Sequence, residues 1–116
     1  MTELLEKLIA IPSFSREEKA AADFLEGYLR DGGFVVHRCG NNIWMESVMA
    51  SGEKPTLLLN AHIDTVKPSS GYTRDPFTPC IEGDCLYGLG SNDDGASLVA
   101  MLEAFRRLSS KSQPYR

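Results

Sequence analysis

A chain of 116 residues has the length of one modest domain and can bury about two thirds of its unfolded surface around a single core. Its composition, 42% hydrophobic and 24% charged with 10 glycines, is that of a folded protein and excludes a disordered tail or a collagen-like repeat. Asp and Glu number 16 against 12 Lys and Arg, a formal net charge of -4 without a local basic patch, which argues against a nucleic acid or a membrane surface as partner.

The opening stretch MTELLEKLIAI mixes acids and bases with apolar residues, unlike a secretory signal, and reads as a helix of the mature protein. No apolar run approaches the roughly 20 residues that span a bilayer, so a soluble protein is expected. The three cysteines Cys39, Cys80 and Cys85 are too few and too scattered for a disulfide framework. They point to a cytoplasmic location, and Cys80 and Cys85 lack the further ligands of a structural zinc site.

In chain order, Leu4, Leu5, Leu8 and Ile9 have helical spacing, and Pro12 limits that first helix. Ser15 followed by Glu18 has the pattern of a capping box, predicting a second helix with an apolar face of Ala21, Phe24, Leu25, Tyr28 and Leu29 that stops at Gly32-Gly33. Phe34 to His37 and Ile43 to Val48 predict a hairpin about the turn Gly40-Asn41-Asn42. After a polar loop, Ala50 to Pro55, the run TLLLNAHI is of the kind buried on both faces at the centre of a sheet. Lys67 to Glu82 reads as a long surface loop. From Gly95, the spacing of Leu98, Val99, Leu102, Phe105 and Leu108 predicts a third helix to about Ser109. Alternating helices and strands around a buried strand imply an α/β layered fold. The polar ending SSKSQPYR supplies no strand to complete the sheet, so a truncated domain is expected.

Two clusters can carry chemistry. His62 and Asp64 stand two apart at the carboxyl end of the expected central strand, where α/β proteins place ligands. One imidazole nitrogen there can bind a metal while the other donates to the acid, although a strand-end His-Asp pair can equally serve stability alone. The second cluster, Ser91-Asn92-Asp93-Asp94, lies between Gly88-Leu89-Gly90 and the third helix. Asp93 or Asp94 can simply cap that helix. Alternatively, a carboxylate in this turn can bridge two cations about 3.5–4 Å apart, as in hydrolytic two-metal sites. The glycines fit neither a dinucleotide loop nor a Walker loop, and no Gly-x-Ser-x-Gly elbow occurs.

AHIDTV (Ala61 to Val66), DPF (Asp75 to Phe77) and LYGLGSND (Leu86 to Asp93), in this order, resemble the motif series of the M20 metallopeptidases, and the early IPSFSREE is similar to that family's opening segment. The resemblance covers nearly the whole chain but only about the first third of a family member. It implies the three-layer α-β-α fold of the zinc exopeptidases, with residues 1–116 as the amino-terminal part of the catalytic domain and the lid or dimerisation domain and carboxyl-terminal part absent. It implies two divalent metal ions, zinc or alternatively cobalt. His62 would ligate one, Asp93 would bridge both, and Asp64 would orient His62 and support catalysis. The implied reaction is hydrolysis of an amide in an N-acylated amino acid or peptide by a metal-activated water. Acetylornithine-type deacetylation is expected first, on the similarity of GLGSND and the following Asp-Gly-Ala-Ser to one branch of the family; carboxypeptidases, desuccinylases and di- or tripeptidases share the motifs. Many members have arginine where Leu89 stands and Lys-Gly where this chain has Asp94-Gly95. The general base and remaining ligands lie downstream in the family, so the fragment is expected to be inactive alone, and the full-length protein to form a homodimer. The competing readings are a non-catalytic binding or assembly module, and an α/β domain without metal.

Overall fold

Helical spacing of apolar residues organises the three helices of the computed structural model, which describes residues 2–47 and 54–115. Helix α1, Thr2–Ile9, buries Leu4 and Ile9 and carries a Lys7–Glu3 ion pair on its outer face. Helix α2, Lys19–Asp31, buries Ala21, Ala22, Leu25 and Leu29, whereas Tyr28, expected on the same face, is exposed. The capping box expected at its start does not form. Glu18 occupies the capping position without a side-chain cap bond, and its carboxylate accepts from the backbone amide of Arg16. Arg16 adopts a left-handed φ of 76°, which turns the chain before the helix begins and leaves Ser15 outside reach of the first-turn amides. At the other end only Gly33, with φ of 85°, takes the left-handed conformation; Gly32 stays right-handed.

The first hairpin pairs β1, His37–Cys39, with β2, Asn42–Trp44, in the register His37 to Trp44 and Cys39 to Asn42. Its first strand thus starts at the residue where it was expected to end. Phe34 and Val36 instead join the core, Val36 buried and Phe34 beside Phe105 at 5.9 Å between ring centres. Val48 and most of the expected loop from Ala50 to Pro55 fall outside the described residues. Arg38 fastens the hairpin to α2 through Asp23 at 2.7 Å and Glu26 at 2.8 Å.

The run TLLLNAHI, expected as a buried central strand, is neither paired nor buried. Leu57, Leu58 and Leu59 are 49%, 78% and 42% exposed, and no ladder includes residues 56–63. Each hairpin is a separate two-stranded sheet, and no strand of either lies alongside this segment to pair with it. Only beyond the run does Thr65 form an isolated parallel bridge with Phe14. Part of the expected long loop is also ordered, with β3, Cys80–Glu82, pairing with β4, Cys85–Tyr87, about the turn Gly83-Asp84. Helix α3, Ala96–Leu108, follows an irregular turn over Ser91–Gly95 and buries Val99. Leu4, Leu25, Leu29, Val36 and Val99 form the core, with Leu5, Ile63, Leu98 and Leu102 packed around it.

Candidate metal centre

His62 sits where the exposed segment meets the core, because the next residue, Ile63, packs against the core cluster. The following residues are fixed to the segment before α2. The Ser13 carbonyl accepts from the Thr65 amide at 2.7 Å and from its hydroxyl at 3.3 Å. Asp93 arrives from the opposite side on the Ser91–Gly95 turn, where its dihedrals are extended (φ -120°, ψ 96°) and the Asp93–Asp94 peptide is cis. Gly90, with φ of 74°, makes the reversal into that turn, and a side chain there would strike the Thr65 methyl. Neither aspartate caps α3, which has no side-chain cap bond.

The turn brings together residues 31 apart in sequence: His62 Nε2 lies 3.0 Å from Asp93 Oδ1. The other ring nitrogen, Nδ1, faces the Asp64 carbonyl at 3.0 Å and Asp64 Oδ1 at 3.2 Å. Both of those partners are acceptors, so Nδ1 carries the proton and donates. Nε2 then has two options opposite a carboxylate. It can be protonated, forming an imidazolium pair, or its lone pair and the carboxylate can share a cation.

The surrounding groups favour charge on the imidazole. Burial opposes charge on His62, but the bonds to the Asp64 carbonyl and the Asp93 carboxylate outweigh it and raise the imidazole above its usual value. Asp64 is held below the usual carboxylate range, chiefly by the Ser15 hydroxyl that donates to its Oδ2 and then by the charge of His62, against the effect of burial.

The donor set also fits a divalent ion. Two donors each about 2.1 Å from one zinc ion at a tetrahedral angle stand about 3.4 Å apart, so a few tenths of an ångström of opening would admit it between His62 and Asp93. Asp93 keeps most of its carboxylate in solvent, 85% exposed, and so has lone pairs free for a second ion. Among the described residues no three His, Cys, Asp or Glu side chains are grouped so that they could hold a metal ion, so the pair His62 and Asp93 is not a closed site. A cavity of about 30 Å³ lies behind the pair, lined by Leu5, Ile9, Phe77 and Leu89. Ser13 also lines it, with a buried hydroxyl that has no partner among the described residues.

The structure therefore brings together all three residues singled out from the motifs, and adds residues that sequence reasoning missed. Ser15 was read as a helix cap, yet it contacts Asp64. Lys67 was read as the start of a loop, yet its ammonium lies over the Phe14 ring, 5.7 Å from the centre, with no ion-pair partner among the described residues. Cys80 and Cys85 are free thiols.

Comparison with known proteins gives the class. The profile of peptidase family M20/M25/M40 matches residues 58–116, which include His62, Asp64 and Asp93. The chain belongs to this family. It is 36% identical over 109 residues to a succinyl-diaminopimelate desuccinylase of Sphingopyxis alaskensis, covering 88% of this chain and 29% of that protein. A protein of the same name from Buchnera aphidicola is 34% identical over 113 residues, covering 96% of this chain and 30% of its own length. A third, from Rhizorhabdus wittichii, is 31% identical over 115 residues, with 91% and 30% covered. The chain thus spans about 30% of the length of these curated relatives.

Proposed function

We propose that the full-length protein is a two-metal amidohydrolase that removes an N-acyl group from an amino acid, with an N-succinyl group preferred to the N-acetyl group expected from the motifs alone. The observation that carries the metal-dependent part is the asymmetry of His62. Its Nδ1 is committed to Asp64 while its Nε2 stands 3.0 Å from the Asp93 carboxylate, a pairing that suits a shared cation. The preference for succinyl is supported by the names of the relatives, all three of them desuccinylases, and by the unpaired ammonium of Lys67, three residues beyond Asp64, which suits an acyl chain ending in a carboxylate.

In this reading His62 and Asp93 would hold the divalent ions, Asp93 offering the oxygens of its exposed carboxylate. When bound, the metals lower the pKa of a water and polarise the amide carbonyl. Asp64 keeps the His62 proton on Nδ1, so that Nε2 presents its lone pair. The glycine-flanked turn keeps Asp93 in solvent and pointed at His62. Residues 1–116 would form the amino-terminal part of a three-layer α-β-α catalytic domain, with the general base and other ligands supplied by further sequence.

The test is hydrolysis by the full-length, zinc-loaded protein of matched N-succinyl and N-acetyl amino acids. Release of succinate with the higher kcat/KM is the expected result, and His62→Ala should reduce it to background while Asp64→Asn lowers it about 10- to 100-fold. Faster release of acetate would return the acyl assignment to the acetylornithine type, and undiminished turnover by the His62 variant would defeat the metal assignment.

A further inference from the structure

Ser15 hydrogen-bonds with a side chain 49 residues away, at the centre of the candidate site. Its Oγ donates to Asp64 Oδ2 at 2.5 Å, while Oδ1 of the same carboxylate faces His62 Nδ1 at 3.2 Å. The two oxygens of Asp64 are thus divided, one between the carboxylate and the imidazole and the other between the carboxylate and a hydroxyl. A carboxylate with both oxygens assigned cannot rotate about its last bond without breaking one of them.

The hydroxyl is itself held in place from both sides. On one side Phe14 bridges Thr65, and Ser13 accepts both Thr65 donors, so the backbone just before Ser15 is tied to the backbone just after Asp64. On the other side Arg16 is fixed in its left-handed conformation by its amide, which donates to Glu18, and the second oxygen of Glu18 accepts from Asn41 Nδ2 at 2.9 Å. A non-glycine residue at positive φ costs on the order of 1–2 kcal/mol, so the turn persists only because its surroundings specify it. The Glu18 carboxylate, lying below its usual range chiefly through that Arg16 amide, is the group that specifies it. Helix capping does not explain Ser15, because α2 begins at Lys19 and has no side-chain cap bond.

We infer that Ser15 is a positioning residue of the metal site: it fixes the Asp64 carboxylate, which in turn fixes the tautomer and orientation of His62, in a relay from Asn41 and Glu18 through the Arg16 turn to the ligand. The inference rests on the metal-dependent reading of His62 given above. Outer partners of a ligating histidine change metal affinity about 10- to 100-fold when removed. The effect of Ser15 is placed at the lower end, because Asp64 is partly exposed and solvent can take over one oxygen.

The experiment measures zinc affinity of the full-length protein by competition with a chromophoric chelator, for wild type, Ser15→Ala, Ser15→Thr and Asp64→Asn and for the double variant Ser15→Ala/Asp64→Asn, together with kcat, KM and thermal unfolding without metal. Ser15→Ala should weaken zinc binding about tenfold and lower kcat at unchanged KM, with little change in unfolding. Ser15→Thr, which keeps the hydroxyl, should restore both. In the Asp64→Asn background, Ser15→Ala should have no further effect, because its route to the metal is already cut. Full zinc affinity in Ser15→Ala, equal losses in the alanine and threonine variants, or additive losses in the double variant would each overturn the proposal. If Ser15→Ala fails to fold, the threonine variant decides: wild-type affinity sustains the role of the hydroxyl, and a loss overturns it. A wild-type protein that binds no zinc would remove the metal reading itself, and this inference with it.

Discussion

The contact between His62 and Asp64 was legible because two residues in extended chain project to one side, and that relation needs no knowledge of the fold. Asp93 was open to two readings, a cap or a ligand; α3 has no side-chain cap bond, and Asp93 Oδ1 lies 3.0 Å from His62 Nε2 instead. Ser15 was not legible. Its spacing to Glu18 matches a capping box, and nothing local distinguishes a serine that caps a helix from one that bonds a carboxylate 49 residues on. Lys67 was hidden for the same reason, since an ammonium over an aromatic ring is a tertiary contact. The ring attracts the charge but leaves its three N–H donors free, so Lys67→Met should raise KM for an N-succinyl substrate about tenfold, the effect of one charge-assisted hydrogen bond of about 1.5 kcal/mol, while leaving KM for an N-acetyl substrate unchanged. Steady-state kinetics on the two substrates decide this. Equal changes in both would separate Lys67 from the acyl carboxylate.

At the scale of elements, the three helices followed from apolar spacing, with their ends within a few residues. The strands were less legible because strand pairing is non-local. TLLLNAHI has the composition of a buried strand, but a strand needs a partner alongside it, and among the described residues each hairpin strand pairs only with its own hairpin partner. The hairpin of β3 and β4 escaped notice because three-residue strands show no alternation. Glycine positions carry information that spacing does not. Gly95 adjoins the start of α3, where alanine would be favoured over glycine by about 1 kcal/mol on helix propensity. A Cβ there would lie 2.6 Å from the Gly90 carbonyl oxygen and 2.7 Å from Leu5 Cδ1, so the turn that presents Asp93 would have to move. Gly95→Ala is therefore expected to destabilise the protein by about 1–3 kcal/mol. Gly27→Ala in α2, where no atom lies within 4 Å of the added methyl, should stabilise it by about 0.5–1 kcal/mol. Urea denaturation of both variants gives the signs. A stabilising Gly95→Ala would show that the turn is loosely packed.

Across the whole molecule, the radius of gyration of 15.6 Å exceeds the value of about 13.4 Å for a compact domain of this length. An open apolar trench of about 670 Å³ is lined by Leu57, Leu58 and Leu59 together with Leu29, Leu102 and Phe105. With so little apolar area enclosed, contacts between surface charges take a larger share in holding elements together, above all Arg38 with Asp23 and Glu26. Both acids lie below the usual carboxylate range: Asp23 through its bonds to Lys19 and Arg38, and Glu26 through Arg38 and Arg30. Glu103, bonded by Arg106 and Arg107, is lowered to about 2. A carboxylate with a folded pKa below its unfolded one stabilises the fold above the unfolded value. As pH falls through the interval between the two, the unfolded chain takes up the proton first and that stability is lost. The urea midpoint should therefore fall as pH drops below about 4.5, the ordinary carboxylate value, and the raised imidazole of His62 should lower it again as pH rises above about 6.5. These pairs are exposed, so 1 M salt, with a screening length of about 3 Å, should flatten the dependence, and Arg38→Met should remove the part due to Asp23 and Glu26. A midpoint unchanged between pH 6 and pH 3, or an acid slope untouched by Arg38→Met, would show that the trench walls and core hold α2 to the hairpin without help from these charges.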